Sequence, residues 1–167
     1  FDAYWVCCRV AEELEGEGVL VAPPVNYGVS PHHMDFPGTV TIRESVFIEF
    51  VYDILASLCK HGFRRFVIVN GHGGNMPALR IVAKRVHHDF GALVAVDLLG
   101  LASPEVRELI ETKEGDIHAG EFETSTSLAN RPELVRMDRA VAEVVRIPLK
   151  YVKVGLAPEG PAVDYFP

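Results

Sequence analysis

Basic runs are missing from this chain: its 16 lysines and arginines are scattered among 23 acidic residues, for a net charge of −7. That balance argues against nucleic acid or an anionic membrane surface as partner, since both call for clustered positive charge. No apolar stretch approaches the ~20 residues of a membrane-spanning helix, and the first residues lack a basic segment followed by an apolar one. Cysteine is scarce and odd in number. Cys7, Cys8 and Cys59 each lie in a helical apolar pattern, which predicts reduced, buried thiols and a cytoplasmic protein. Two common site spacings are also missing, the His-Glu-x-x-His of many zinc proteases and the G-x-G-x-x-G of dinucleotide binders; a nucleotide-binding reading is further weakened because Asp97 falls inside its strand rather than at the tip.

What is present fits one globular domain over residues 1–167, with 49% apolar and 23% charged residues. Apolar residues recur at helical spacing from Ala3 to about Leu14, and Gly16 and Gly18 end the run. Val19 to Ala22 reads as a short strand closed by Pro23 and Pro24, and a long polar connection to Gly38 follows, with His32, His33 and Asp35 in it. Thr41 with Glu44 resembles a capping box for a helix whose buried stripe is Val46, Phe47, Phe50, Val51, Ile54, Leu55 and Leu58. Phe66 to Val69 and Leu93 to Leu99 read as buried parallel strands. Between them lies a helix capped by Asn75, with Leu79, Ile81, Val82 and Val86 inward. Short helices are expected near 105–110 and 122–128, and extended or irregular chain from Pro148 on. Helices alternating with strands argue for an α/β fold, a mostly parallel sheet with helices on both faces.

Two segments concentrate chemistry. Val67 to Asn75 runs a strand into the glycine-rich turn Asn70-Gly71-His72-Gly73-Gly74-Asn75, at the carboxyl end of a strand where open α/β sheets bind ligands. Asp116 to Ser125 adds His118, Glu121 and Glu123. Either alone has a plain alternative, a βα turn or an acidic helix start favoured by the helix dipole. Together they offer imidazole and carboxylate, the donor set that Zn²⁺ and Mn²⁺ accept, and so point to a metal hydrolase.

Three segments in this order, His33-Met34-Asp35-Phe36-Pro37-Gly38-Thr39, Asn70 to Asn75, and His118-Ala119-Gly120-Glu121-Phe122-Glu123-Thr124-Ser125, resemble the creatininase-like metal amidohydrolases. The resemblance extends to the helix around Cys7–Glu13 and to Tyr27-Gly28, nearly the whole chain. It implies a three-layer α/β/α sandwich, assembly as a homo-oligomer, often a hexamer, and two divalent metal ions, zinc or manganese. Carried over residue by residue, His72 matches a ligand of one metal and Glu123 a ligand of the other. His118 matches the histidine that assists proton transfer to the leaving nitrogen, and His33, with Gly73 and Gly74, matches the substrate side. The family's first ligand motif, a glutamate, a histidine and a bridging aspartate, has no counterpart here, and Asp2 is a poor stand-in. The chain is therefore expected to lack an N-terminal metal-ligand segment and a C-terminal portion. Gly74 stands where creatininase proper has a glutamate acting as base, which disfavours creatinine as substrate and leaves Glu121 as the carboxylate on hand.

The resulting expectation is a metal-dependent hydrolase of a C–N amide bond, a cyclic amide or formamide, in a small polar metabolite. A formamide hydrolase or peptidase of cofactor biosynthesis is a sister reading. A degenerate binding or scaffolding subunit is the alternative from outside enzymology.

Overall fold

The computed structural model describes residues 2–98, 104–112, 118 and 120–141. Contacts divide the chain into two compact units, one of residues 3–99 together with Phe1, the other of residues 100–167 together with Asp2.

In the first unit, α1 (Asp2–Glu13), apart from its first residue, is followed by α2 (Glu44–Lys60), β1 (Arg65–Asn70), α3 (Met76–Phe90) and β2 (Leu93–Leu98). The last four form a strand–helix–strand unit preceded by a helix. β1 and β2 pair in parallel, with Arg65 opposite Leu93 and Asn70 opposite Leu98. α2 buries Phe47, Val51, Leu55, Ala56 and Cys59, an i, i+4 stripe, against Ala78, Leu79, Val82 and Val86 of α3. Phe66, Ile68, Val94 and Val96 pack on the same cluster. Val82 and Val86 are fully buried, and each such side chain stabilises the fold by about 1.5–3 kcal/mol relative to exposure.

On the outer side, the Arg85 guanidinium lies over the Tyr52 ring, 4.2 Å from its centroid, and pairs with Glu49. Tyr52 donates its hydroxyl to Asp89 at 2.6 Å. The bond from Arg85 holds Glu49 below the usual carboxylate range, and the bond from Tyr52 does the same for Asp89 while pushing the phenol up. The second unit contributes α4 (Pro104–Leu109) and α5 (Glu121–Asn130), with short 3-10 turns at Pro132–Leu134 and Met137–Arg139.

The α/β class stands, with several local corrections. Val19–Ala22 forms no strand, and Leu20 is 75% exposed. The buried stripes are narrower than the sequence predicts, because Val46, Phe50 and Ile81 sit on the outer flanks of their helices and are exposed. Val67 of β1 and Leu93 of β2 point away from the core cluster, at 71% and 63% exposure, so neither strand is buried on both faces among the described residues. Of the cysteines only Cys59 is buried; Cys7 and Cys8 are half-buried on α1, and all three are thiols. The expected irregular chain from Pro148 on lies outside the described residues. No helix among the described residues is long and apolar enough to cross a membrane.

Candidate metal centre

β1 ends on Asn70, the one buried polar residue of the described core, at 3% exposure. Its side chain shapes the turn that follows. Nδ2 donates to the carbonyl of His72 at 2.8 Å, while Oδ1 accepts the His72 N–H at 3.3 Å and Nδ2 of Asn75 at 3.2 Å. His72 is left in extended backbone, and Gly73–Asn75 makes one 3-10 turn into α3. Asn75 precedes α3, as expected, but its side chain does not cap the helix. Its Oδ1 instead accepts the N–H of Val29 at 2.8 Å, across 46 residues. A Cβ on Gly28 would come within 2.4 Å of that oxygen, so the approach requires glycine.

Thr41 likewise serves the loop rather than α2. It makes a parallel bridge with Gly28, and its hydroxyl accepts the N–H of Ser30 at 2.8 Å. α2 begins without a side-chain cap. The segment from Gly28 to Ser30 is thus pinned at several points. Pro31–His33 then closes a 3-10 turn with proline in its first turn, where a missing N–H does no harm.

This turn brings two histidines to the end of β1. The ring centroids of His32 and His33 are 4.2 Å apart, those of His32 and His72 5.4 Å, and those of His33 and His72 5.6 Å. One possible ligand nitrogen from each lies within 4.8 Å of the others. His33 shares a 2.8 Å hydrogen bond between Nδ1 and the Ser30 hydroxyl, and His72 donates from Nε2 to the carbonyl of Val29 at 2.9 Å. Gly74 completes the floor: a Cβ there would stand 2.5 Å from the Val29 oxygen, 2.6 Å from His72 Nε2 and 3.1 Å from His32 Cε1. A Cβ on Gly73 would meet nothing within 4 Å, so its flank is open. His33 and His72 are therefore neighbours. His32 is an addition, visible in the sequence only as one of a histidine pair in a polar loop.

The other expected residues belong to the second unit. His118 and Glu123 are exposed, Glu123 in the first turn of α5. Glu121 begins α5, and its two oxygens accept the backbone N–H groups of Glu111 at 3.1 Å and Thr112 at 2.7 Å. Those bonds, that from Thr112 foremost, hold its carboxyl below the usual range, which makes it a weaker base than an ordinary glutamate. Asp2, grouped with this unit, accepts from Asn130 Nδ2 at 3.1 Å and from the Ser127 hydroxyl at 3.5 Å.

The residues at the end of β1 suit a divalent transition metal. Imidazole nitrogens are ligands for zinc and its neighbours, and rings fixed through their second nitrogen are the usual form of such ligands.

Comparison with known proteins agrees. The family model described as creatininase, creatinine amidohydrolase, matches residues 2–159. A 3-dehydro-scyllo-inosose hydrolase of Thermotoga maritima is 32% identical over 145 residues, covering 80% of this chain and 45% of that protein. A creatinine amidohydrolase of Pseudomonas putida is 36% identical over 154 residues, covering 81% and 58%, and a mycofactocin precursor peptide peptidase of Mycobacterium ulcerans is 36% identical over 126 residues, covering 75% and 45%. The chain thus spans about half the length of these relatives. Among solved structures, a manganese creatininase superposes with a TM-score of 0.70 at 29% identity, covering 88% of this chain and 63% of that one. A mutant creatininase of Zn–Zn type does so with 0.68 at 29%, covering 87% and 63%. The matched residues run through both histidine-bearing loops and the helix of Glu123, and the chain belongs to the creatininase family.

Proposed function

We propose that the protein is a metal-dependent hydrolase of a C–N amide bond in a small polar metabolite. The observation that carries this reading is the meeting of His72 with His33 and His32 at the carboxyl end of β1, in a chain of a family whose solved members include zinc and manganese forms. His72 and Glu123 are the ligands we assign to metal. When bound, a divalent cation supplies an activated water near neutral pH and an electrophile for the carbonyl oxygen. The protein's own groups do the rest. His118, whose side-chain type takes and gives protons near neutral pH, delivers the proton to the leaving nitrogen. The open flank at Gly73, beside His33 and Gly74, admits the substrate. Glu121 holds the 111–112 segment through two backbone N–H groups, so we give it an orienting role rather than that of a base.

Cyclic amides and formamides are the favoured substrates, and a small peptide is the sister choice. One observation favours both over creatinine: the floor at Gly74 has no room for a side chain, so no glutamate base stands there. By the same family resemblance the protein works as a homo-oligomer, and its free cysteines fit a reducing cytoplasm.

The test is metal analysis of the full chain together with turnover on a panel of cyclic amides, formamides and short peptides. His118→Ala lowers turnover by roughly 10²–10⁴ and leaves metal content unchanged, whereas His72→Ala loses both. If His118→Ala strips the metal as fully as His72→Ala, His118 is a ligand and the roles are wrong. A full chain that assembles, holds no metal and cleaves nothing is a scaffold instead.

A further inference from the structure

We infer that Asn70 and Asn75 are positioning residues, whose side-chain amides form a directed relay from the N–H of Val29 to the backbone of His72. The relay sets His72 against the loop that carries His33. Its consequence for metal binding rests on the proposed function, in which His72 is a ligand, whereas its hold on His72 does not.

The direction of the relay follows from its outer end. A backbone N–H only donates, so the N–H of Val29 requires the amide oxygen of Asn75, which accepts it at 2.8 Å. Nδ2 of Asn75 then faces Asn70 and requires an acceptor, and Oδ1 of Asn70 stands there at 3.2 Å. That orientation turns Nδ2 of Asn70 toward the carbonyl of His72, to which it donates at 2.8 Å. Oδ1 of Asn70 also accepts the N–H of His72 at 3.3 Å, so one side chain holds both backbone polar groups of that histidine. Turning either amide over sets oxygen against oxygen at one of its ends. Each link therefore fixes the next.

The relay closes on itself through the imidazole. Nε2 of His72 donates to the carbonyl of Val29 at 2.9 Å, the residue whose N–H begins the chain of bonds. His72 is thus held at two ends, by its backbone through Asn70 and by its ring through Val29, which leaves the side chain little freedom about its own bonds. Asn70 is 3% and Val29 4% exposed, so water competes poorly for these groups. Orientation fixed before an ion arrives is what outer partners supply to a ligating histidine.

The test uses the full chain stripped with a chelator, in the variants Asn70→Ala, Asn70→Asp and Asn75→Asp, with Val51→Ala on α2 as a core truncation. Asn70→Asp keeps both acceptor contacts but sets an oxygen against the carbonyl of His72. Asn75→Asp keeps the bond from Val29 but sets an oxygen against Oδ1 of Asn70. Circular dichroism first establishes folding. Two quantities are then read, the ring resonances of His72 in the metal-free protein by nitrogen-15 NMR, and Co²⁺ affinity by visible absorption. All three asparagine variants are expected to shift the His72 resonances and to weaken Co²⁺ binding roughly 10–100-fold, the loss that goes with an outer partner. Val51→Ala lowers stability and moves neither. Asn75 is half-buried, so Asn75→Asp folds and decides the matter if the Asn70 variants do not. Unmoved His72 resonances in a folded asparagine variant overturn the relay, as does an equal shift in Val51→Ala, since any loss of packing would then act alike. Shifted resonances with unchanged Co²⁺ affinity overturn the positioning role. A wild-type chain that takes up no Co²⁺ removes the metal reading instead, and the resonances still decide whether the relay holds His72.

Discussion

The carbonyl oxygen of Val29 accepts a hydrogen bond from Nε2 of His72 at 2.9 Å, joining residues 43 positions apart. One backbone atom thereby fixes both the ring plane and the tautomer of the histidine at the end of β1. Gly74 lies against that bond, and Asn75 holds the backbone that carries it.

Gly74→Ala places a methyl group where the Val29 oxygen and the His72 ring already stand, at 2.5 and 2.6 Å. The backbone oxygen cannot give way cheaply, so the ring turns or the loop shifts. A loss of about 1–3 kcal/mol of stability is expected from the overpacking, with metal binding weakened roughly 10–100-fold. Thermal unfolding and Co²⁺ titration check this. Unchanged values in both would mean that the Val29–His72 contact does not orient the ring.

Asn75→Ala removes the acceptor of the Val29 N–H and the donor to Asn70. Leaving such a half-buried pair unmatched is expected to lower stability by about 1–3 kcal/mol. Denaturant unfolding gives the number. A change below about 0.5 kcal/mol, the size of an ordinary surface substitution, would show that water replaces the amide at little loss.

Stability should fall in acid. Glu121 is held below the usual range by the N–H groups of Thr112 and Glu111, Glu49 by Arg85, and Asp89 by Tyr52. A depressed folded pKa means stability that is present above the unfolded value and lost as pH falls through the folded one, here below about pH 4. Tyr52 has the opposite sign: its raised pKa contributes stability below about pH 10 that is lost above it. Melting temperature against pH should drop at both ends. Glu121→Gln should flatten the acid limb, and an unaltered limb would show that its bonds to residues 111 and 112 do not persist in solution.

Much of the framework was legible in the residues themselves. The i, i+4 stripe of Phe47, Val51 and Leu55, the apolar run of β1, the glycine turn around His72 and the acidic start of α5 are local patterns, and local patterns set helices, strands and turns. The structure decided what lies across the chain. Thr41 and Asn75 carry the right side chains for helix caps, yet both are used by the loop around Val29, because its otherwise unmatched N–H groups are the stronger claim on a half-buried acceptor. Val46, Phe50 and Ile81 fit the helical period but fall outside the arc that α2 and α3 bury against each other. The gathering of His32 and His33 beside His72 goes with a side-chain-to-backbone contact spanning more than forty residues, and no short-range periodicity records such a contact.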